Sequence, residues 1–480
     1  MTGYVVSAFR RTVTVRLKPD TTEEAEYLGF DVRDKRVTVV GAARSGIAAA
    51  ELLARRGARV TLSEARADVP EAEPLALLGV RLEVGGHQTS TFTEADLVVL
   101  SPGVPPETPV VQGARDRGVP VIAEIELAAR WLQGRVIAIT GTKGKSTTTA
   151  LTGRMLEAAG FKVTVGGNIG APLSAQVSES TPDTFHVVET SSFQLEQIDT
   201  FHPWISVMLN FSPDHLDRHP SVDAYGAAKA RIFENQDEKD FAVINADDPG
   251  VLELARRGRA TRRPFARSGT LERGTVVDAG WIVDRTGGAV VPLVPLDAIH
   301  LLGPHLVNDV MAAATVGAIA GAASPAMTAA VDGFRGLEHA MELVADFQGV
   351  RFVNDSKATN VDAALRSIES FERDLVAIIG GKFKGGDLRL LRDPLHARAK
   401  AVVAIGEARP LVREALADLI AVHEADTLSD AVARAYALAK PSGVVLLAPA
   451  CASFDMFRDY AERGRRFKDE VRRLIDMANG

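Results

Sequence analysis

The chain has 480 residues, 46% of them hydrophobic and 24% charged, and this length predicts two to four domains with separate hydrophobic cores. A formal charge of -7 and a pI near 5.9 argue against a general nucleic-acid binder, whose affinity comes largely from a basic face. No apolar run approaches the roughly 18 residues that span a bilayer, so we expect a soluble protein without membrane insertion. Cys451 is the only cysteine, which excludes internal disulfides and a zinc site of several thiolates and fits a reducing cytoplasm.

Residues 1–33 contain the basic stretch SAFRRTVTVRLKPDTT and have no apolar segment followed by a small-residue cleavage site. This pattern is not that of a secretory signal. A transit peptide is the alternative, because Asp20 is the first acidic residue. We favour a loosely ordered extension whose removal leaves activity nearly unchanged.

A first series of strands and helices follows. Short β-branched runs that end in glycine, proline or acidic residues predict strands at RVTVVG (36–41), ARVTLSE (58–64), RLEVGG (81–86), DLVVLSPG (96–103) and VPVIAE (119–124). Between the first two lies GIAAAELLARRG, a helix pattern closed by glycine. Strands alternating with helices predict a parallel sheet.

Two further series have the same character. The second runs through RVIAIT (135–140), HVVET (186–190), WISVMLN (204–210) and FAVINADD (241–248), and the third through VRFVND (350–355), DLVAIIGG (374–381), AVVAIG (401–406) and GVVLLAPA (443–450). The sequence therefore predicts an α/β protein with an extension (1–33) and three domains (34–133, 134–336 and 337–480). The joints are placed near Gln133 and Gly336.

The stretch AITGTKGKSTTT carries a glycine-rich turn between a strand and a helix. Such a turn directs backbone N–H groups and the positive helix end at one point, so it predicts a phosphate site. Lys145 is expected to reach the terminal phosphates and Ser146 to bind magnesium. The spacing is GxxGKS, because Ile139 stands where the usual loop has its first glycine.

Further oxygen ligands are expected where neighbouring strands end. Glu189 ends one such strand, and Asp214, His215, Asp217 and His219 follow the next. Each alone reads as a solvated loop residue, but together at the edge that holds the glycine-rich turn they predict a metal site. Lys229 lies on a helix just beyond, and nothing in its spacing distinguishes it from a surface lysine.

The first domain opens with GAARSG, which is not a dinucleotide motif because Ala43 replaces the central glycine. A diphosphate could still lie at the helix start beside Arg44 and Ser45, and Glu64 and Arg66 are expected to face the same crevice.

In the third series three strands end in polar segments, NDSKATN (354–360), GGKFKGGD (380–387) and ACASFDMF (450–457). Polar, partly cationic strand ends in one sheet favour a small anionic substrate at its carboxyl edge.

Together these motifs resemble those of the Mur ligases of peptidoglycan synthesis. The matching stretches are GTKGKSTTT, VGGNIG, ETSSFQLE, NFSPDHLDRH, AAKARIFEN, NDSKATN, GGKFKGGD and the SPG of the first domain, with ACASFDMF as a further specific signal. The likeness runs from about Lys35 to the C-terminus and is greatest to the members that add D-glutamate to UDP-N-acetylmuramoyl-L-alanine. It implies an N-terminal Rossmann-like domain for UDP, a central P-loop ATPase with a mostly parallel sheet, and a C-terminal Rossmann-like domain that brings the amino acid.

The resemblance also implies a reaction in which ATP phosphorylates the substrate carboxylate and the amine of D-glutamate displaces phosphate. The implied nucleotide contacts are Gly141, Thr142, Lys143, Gly144, Lys145, Ser146, Thr147, Asp309 and Asp355. Two magnesium ions are implied, with Ser146, Glu189, His215 and a carbamylated Lys229 as ligands, and Lys145, Glu189, His215 and Lys229 as the catalytic set. Substrate contacts are implied for Asn168, Ser191 and His215, for Ser101 and Gly103 at the uridine end, and for Thr359, Lys384, Ser453 and Phe454 at D-glutamate.

Three positions depart from the family pattern. Leu306 and Asp309 stand where the family has asparagines, and Ala340 stands where it has an arginine beside the phosphates. We expect a weaker hold on ATP, which Ala340→Arg would strengthen; the alternative is a substitute cation such as Arg335 or Lys382.

Two other functions stay open at this point. One is another ligase of this family, including a folylpolyglutamate synthase type or a ligase for a different amino acid. The other is a nucleotide-binding regulatory or scaffold protein with impaired catalysis, which the three departures would favour. Phosphate release that requires both the UDP-sugar and D-glutamate would distinguish them, and we expect a monomer.

Overall fold

The computed structural model describes residues 30–67, 69, 72–215, 218–267, 271–300 and 305–479. Most of the extension predicted at 1–33 therefore lies outside the described residues. Its last four residues belong to the first domain, because Val32 is buried in that core and the ring of Phe30 lies 5.2 Å from that of Trp131. The described strands form three sheets of five, nine and six strands, which confirms the α/β class.

The first sheet is entirely parallel. In chain order its region contains β1 (Arg36–Val40), α1 (Arg44–Arg55), β2 (Arg59–Glu64), α2 (Ala72–Leu77), β3 (Arg81–Val84), α3 (Thr89–Thr93), β4 (Leu97–Leu100), α4 (Pro109–Asp116), β5 (Val121–Ala123) and α5 (Glu124–Ala129). The strand order is β3-β2-β1-β4-β5. Helix α1 packs closely behind the β1 turn, because a Cβ at Gly46 would lie 1.8 Å from the Gly41 carbonyl oxygen.

The second sheet is parallel except at one edge, where β12 pairs antiparallel with β13 and β13 pairs antiparallel with β14. Its elements are β6 (Arg135–Thr140), α6 (Lys145–Ala158), β7 (Lys162–Gly167), α7 (Leu173–Gln176), β8 (Thr184–Glu189), α8 (Ser192–Leu195), β9 (Ile205–Met208), α9 (Val222–Ala230), β10 (Phe241–Asn245), α10 (Pro249–Leu254), β11 (Thr261–Ala266), β12 (Thr275–Asp278), β13 (Trp281–Asp284), β14 (Val291–Pro295), α11 (His305–Ala320) and α12 (Ser324–Asp332). The order is β14-β13-β12-β11-β10-β9-β6-β8-β7. Helices α6, α11 and α12 share one hydrophobic core on one face of this sheet.

The third sheet is parallel apart from β15, which pairs antiparallel with β16. It comprises β15 (Glu342–Phe347), β16 (Val350–Asn354), α13 (Val361–Glu369), β17 (Leu375–Gly380), α14 (Arg392–Arg398), β18 (Ala399–Ile405), α15 (Arg409–Leu416), β19 (Val422–Glu424), α16 (Leu428–Ala439), β20 (Gly443–Leu447) and α17 (Tyr460–Asn479). Its order is β15-β16-β20-β17-β18-β19.

The proposed joints at Gln133 and Gly336 remain predictions, and both residues lie between the last strand of one sheet and the first strand of the next. Among the described helices, none is long and apolar enough to cross a membrane.

A buried arginine on α17 ties two loops of the third domain together. Arg463 is 1% exposed, and its guanidinium donates to the Ser356 hydroxyl (2.9 Å), the Ser356 carbonyl (2.9 Å) and the Cys451 carbonyl (3.1 Å). Burial lowers its pKa to about 10, so the group stays charged at neutral pH. None of these three acceptors is a carboxylate. The charged guanidinium therefore serves to fix the two loops through hydrogen bonds.

We predict that Arg463→Met destabilises the protein by about 2–4 kcal/mol, since the substitution leaves buried acceptors without donors. Arg466→Met, at an exposed position of the same helix, is the control and should change stability by less than about 0.5 kcal/mol. Denaturant-induced unfolding of both variants measures the difference, and equal midpoints would contradict the prediction.

Candidate active site

The glycine-rich turn predicted to bind phosphate lies between β6 and α6. Gly141 and Gly144 have φ angles of +156° and +79°, which favour glycine. Gly144 is the N-cap of α6 and provides no side-chain cap, so backbone N–H groups at this helix start are not satisfied by a capping side chain. Asn210 holds the turn from the neighbouring strand end, because its Oδ1 accepts from the Lys143 N–H at 2.8 Å. This geometry fits an anion.

Two lysines converge on the turn and share one acceptor. Lys145 Nζ donates to the carbonyl oxygens of Gly141 and Thr142, both at 3.0 Å, and Lys229 Nζ donates to that of Gly141 at 2.7 Å. Burial lowers the pKa of each lysine, and the charge of Lys145 lowers the pKa of Lys229 further. Lys229 is only 1% exposed, so it is not the surface lysine that its spacing alone suggests.

The structure brings together the predicted magnesium ligands Ser146 and Glu189. Glu189 ends β8 directly beside Ile139 of β6 and is 2% exposed. Its carboxylate accepts from the Ser146 hydroxyl at 2.6 Å and from the Asn168 amide at 2.8 Å. A hydroxyl and a carboxylate at a phosphate loop are suitable oxygen ligands for Mg²⁺.

No group of three or more His, Cys, Asp or Glu side chains could hold a metal ion within the described ranges. Magnesium commonly takes several of its ligands from phosphate oxygens and water.

The predicted residues after β9 are only partly accounted for. His215 has a φ of +55°, and its ring lies 5.3 Å from Phe193 and 6.1 Å from Tyr225. Asp217 lies outside the described residues. His219 is 2% exposed, and its ring nitrogens lie 2.9 Å from the Ser192 hydroxyl and 3.1 Å from Glu196 Oε1, so its role as a ligand stays a prediction.

The first-domain crevice forms around the turn after β1. Glu64 Oε2 accepts from the Ala42 N–H at 2.7 Å, and Arg66 donates to the Ala42 carbonyl at 3.2 Å. Burial opposes ionisation of Glu64, but hydrogen bonds from Arg66 and Ala42 outweigh it and lower the pKa to about 2. Ser101 donates to the Gly41 carbonyl at 2.9 Å. Three predicted substrate residues thus surround one turn.

The remaining candidates of this region have other surroundings. Ser45 is half-buried in the first turn of α1, and Gly103 is exposed. Ser191 is the N-cap of α8 and exchanges hydrogen bonds with Gln194 in a capping box. This capping accounts for the Ser191 hydroxyl without a substrate, so its assignment stays a prediction.

The predicted D-glutamate residues lie on adjacent loops of the third sheet. Backbone hydrogen bonds between Lys382 and Ala452 join GGKFKGGD to ACASFDMF. Lys384 Nζ lies 4.8 Å from the ring centre of Phe454, which is 59% exposed, whereas Ser453 is buried. Thr359 lies half-buried in the NDSKATN loop.

Two cavities flank the phosphate turn, with volumes of about 640 and 330 Å³. The third domain contributes Asp355, Lys357 and Arg366 to the lining of the smaller one, which Thr142 to Thr147 of the central domain also line. The three departures Leu306, Asp309 and Ala340 line it as well. Arg335 instead donates to the Asp332 carbonyl. Arg366 was missed in the sequence, because a single arginine in a helix pattern gives no signal.

Comparisons with known proteins agree with this architecture. Residues 35–123 match the model for the MurD-like N-terminal domain of Mur ligases, 139–317 match the Mur ligase middle domain, and 340–451 match the Mur ligase glutamate ligase domain. These matches cover more than half of the chain. The chain belongs to the Mur ligase family.

Two curated relatives are named UDP-N-acetylmuramoylalanine–D-glutamate ligase. That of Koribacter versatilis is 45% identical over 451 residues, covering 93% of this chain and 99% of its own. That of Acidobacterium capsulatum is 46% identical over 447 residues, covering 92% and 97%. A solved structure, the UDP-N-acetylmuramate-alanine ligase of Thermotoga maritima, is 19% identical with a TM-score of 0.54 over 92% of this chain and 100% of that one, which shows the shared fold.

Asp309 provides a stability test. It is 3% exposed and packs on the turn so closely that a Cβ at Gly144 would lie 2.2 Å from its Oδ1. Burial raises its pKa well above the ordinary value, although the nearby Thr148 hydroxyl opposes the shift. Since the folded state then binds a proton that the unfolded state releases, the group costs stability as the pH rises above the unfolded pKa.

We predict that Asp309→Asn stabilises the protein by about 1–2 kcal/mol at pH 8, because the amide needs no proton to be neutral. The gain should shrink toward the acidic pH at which both folded and unfolded carboxyls are protonated. Thermal unfolding of both proteins between pH 5 and 8, a span of about three pH units, measures this difference in stability. A difference that is independent of pH would exclude the proposed cause.

Proposed function

We propose that this protein is an ATP-dependent ligase that joins D-glutamate to UDP-N-acetylmuramoyl-L-alanine in peptidoglycan precursor synthesis. The observation that carries the proposal is the convergence of Lys145 and the Ser146–Glu189 pair on one phosphate turn. This site lies in a chain about 45% identical, over nearly its full length, to ligases named for that reaction.

The reaction begins with attack of the L-alanine carboxylate on the terminal phosphorus of ATP, which forms an acyl phosphate and releases ADP. The amine of D-glutamate then attacks the acyl carbon, loses a proton and displaces inorganic phosphate. A carboxylate is a poor electrophile, so phosphorylation supplies the leaving group. The protein contributes mainly by positioning the reactants and neutralising phosphate charge.

The residues divide this work. Lys145 and the N–H groups of the turn bind phosphate oxygens, and Ser146 and Glu189 would hold a magnesium ion, which would neutralise phosphate charge. His215 and carbamylated Lys229 would hold a second ion. Asn168, hydrogen-bonded to Glu189 at 2.8 Å, lies where the acceptor sugar approaches, and Glu64, Arg66 and Ser101 bind its UDP end.

Asp355 and Asp309 face the nucleotide, and Lys384, Ser453, Phe454 and Thr359 bind D-glutamate. Because all of these parts come from one chain, a monomer suffices for the reaction. We place it in the cytoplasm, where ATP is made and Cys451 stays a free thiol.

The direct test is phosphate release and product mass with ATP, UDP-N-acetylmuramoyl-L-alanine and D-glutamate, omitting each in turn. Full turnover should require all three. Turnover with a different amino acid would indicate another ligase of the family, and no turnover would indicate an impaired nucleotide-binding protein. Lys145→Ala is the inactive control.

We predict that Lys229 is carbamylated and that Lys229→Ala lowers kcat at least about a hundredfold. A carbamate would replace repulsion between two ammonium groups at Gly141 with attraction, and the lowered pKa of Lys229 favours the neutral amine that reacts with carbon dioxide. Carbon-13 NMR in labelled bicarbonate detects the carbamate directly. Partial rescue of Lys229→Ala by a short carboxylic acid should follow.

Lys239→Ala, an exposed lysine elsewhere in the same domain, is the matched control and should keep both the NMR signal and the activity. A fully active Lys229→Ala enzyme would disprove the assignment.

We also predict that Lys384→Ala raises KM for D-glutamate about tenfold to a hundredfold, because a carboxylate loses a charged donor. KM for ATP should stay within about twofold. Lys382→Ala, two residues earlier on the same loop, controls for general loss of positive charge. If both variants change KM for D-glutamate equally, Lys384 does not provide the specific contact.

A further inference from the structure

Arg366 lies where the third domain meets the phosphate turn. It belongs to α13 and lines both flanking cavities, as do Lys143, Gly144 and Asp309. Its Nη1 lies 3.7 Å from Asp214 Oδ2 of the central domain, with 39% of the arginine side chain exposed. This separation exceeds the roughly 2.7–2.9 Å of a charge-assisted hydrogen bond, so the guanidinium retains capacity for another anion.

The helix that carries Arg366 is held in a defined orientation. Asn360 caps α13 by accepting from the Ala363 N–H at 2.8 Å. The next residue after the arginine, Ser367, donates to the Asp355 carboxylate and to the Ala363 carbonyl. Because Asp355 itself lines the smaller cavity, these contacts fix the backbone of Arg366 at its wall.

Three cationic side chains from two domains line the same cavity. Lys357 and Arg366 of the third domain line the smaller cavity together with Lys145. Mutual repulsion among these cations would be relieved by a ligand with several negative charges.

We propose that Arg366 binds the β- and γ-phosphates of ATP across the domain boundary, taking the place of the positive charge that Ala340 does not supply in the same cavity. The proposal rests on the ATP-dependent function proposed above. A guanidinium suits the task because its planar donors can pair with two phosphate oxygens at once. Since the arginine comes from the third domain, a triphosphate bound to it and to the phosphate turn would hold the third and central domains together.

The test compares the full-length wild-type protein with Arg366→Gln and Arg366→Lys, using calorimetric titration with magnesium and a non-hydrolysable ATP analogue, ADP or AMP. Arg366→Gln should weaken binding of the triphosphate about tenfold to a hundredfold, ADP less, and AMP by less than about twofold. Arg366→Lys should lie between Arg366→Gln and wild type, because it keeps the charge without the paired donors.

Arg373→Gln is the matched control, since this arginine of the same domain is 86% exposed and pairs with Asp374; its triphosphate affinity should equal that of wild type. Equal triphosphate affinity in Arg366→Gln and wild type would overturn the proposal. An equal loss for AMP and the triphosphate would also overturn it, because the effect would then be structural. Ligase turnover by the wild type is measured separately, so failure of the proposed function and failure of the Arg366 contact are distinguishable.

Discussion

The carbonyl oxygen of Gly141 accepts hydrogen bonds from two ammonium groups, and much of the site follows from this arrangement. Lys145 comes from α6, the helix that begins at the turn, and Lys229 comes from α9. Two elements therefore place like charges at one point. The N-terminus of α6 adds partial positive charge. Glu189 and Asp214 are the acidic groups whose charges oppose the lowering of both lysine pKa values. The Lys145 ammonium and the helix end suit a polyphosphate, and the proposed carbamylation of Lys229 would remove the repulsion between the two ammonium groups.

In the third domain, a buried side chain connects the loop that leads to Arg366 with the loop that carries predicted D-glutamate residues. Arg463 joins the Ser356 loop to the Cys451 loop from within the core. The first loop leads into α13, which carries Arg366, and the second continues into Ser453 and Phe454. A shift of the domain that moves Arg366 relative to the phosphate turn would therefore also move the proposed D-glutamate residues. The loop that leads to Arg366 and the loop that carries the predicted D-glutamate residues are thus connected through packed elements.

The sequence predicted those parts of the site that depend on local pattern. Glycine spacing after a buried strand located the phosphate turn, and strand periodicity placed Glu189 beside it, as the pairing of Ile139 with Glu189 confirms. Strands β7, β11 to β15 and β19 were missed. Among them, β13 to β15 are short antiparallel pieces with register irregularities in their pairing. Their side chains alternate poorly between buried and exposed, so the two-residue period that reveals a strand is weak.

Other parts could not be predicted because tertiary packing alone determines them. Lys229 has the spacing of a surface lysine and is buried only because α9 packs against the strand ends. His219 has the spacing of a ligand, but its ring nitrogens contact the Ser192 hydroxyl and the Glu196 carboxylate. Arg366 gains its position from a capped helix and a serine that contacts Asp355. The decisive partners of Lys229 and His219 are distant in sequence, as is the phosphate turn that shares a cavity with Arg366, so no local pattern contains the information.

Burial favours the neutral forms of three groups at the turn, two lysines and one aspartic acid. It lowers the pKa of Lys145 and Lys229 and raises that of Asp309. An ionised Asp309 against Gly144 would repel the phosphates that the turn is shaped to bind, whereas the neutral carboxyl does not. An arriving triphosphate would favour the charged lysine at 145 and leave Asp309 protonated. Burial thus weakens the repulsion that the Asp309 carboxyl would exert on an anion at the turn, and the negative charges of Glu189 and Asp214 favour the charged forms of both lysines.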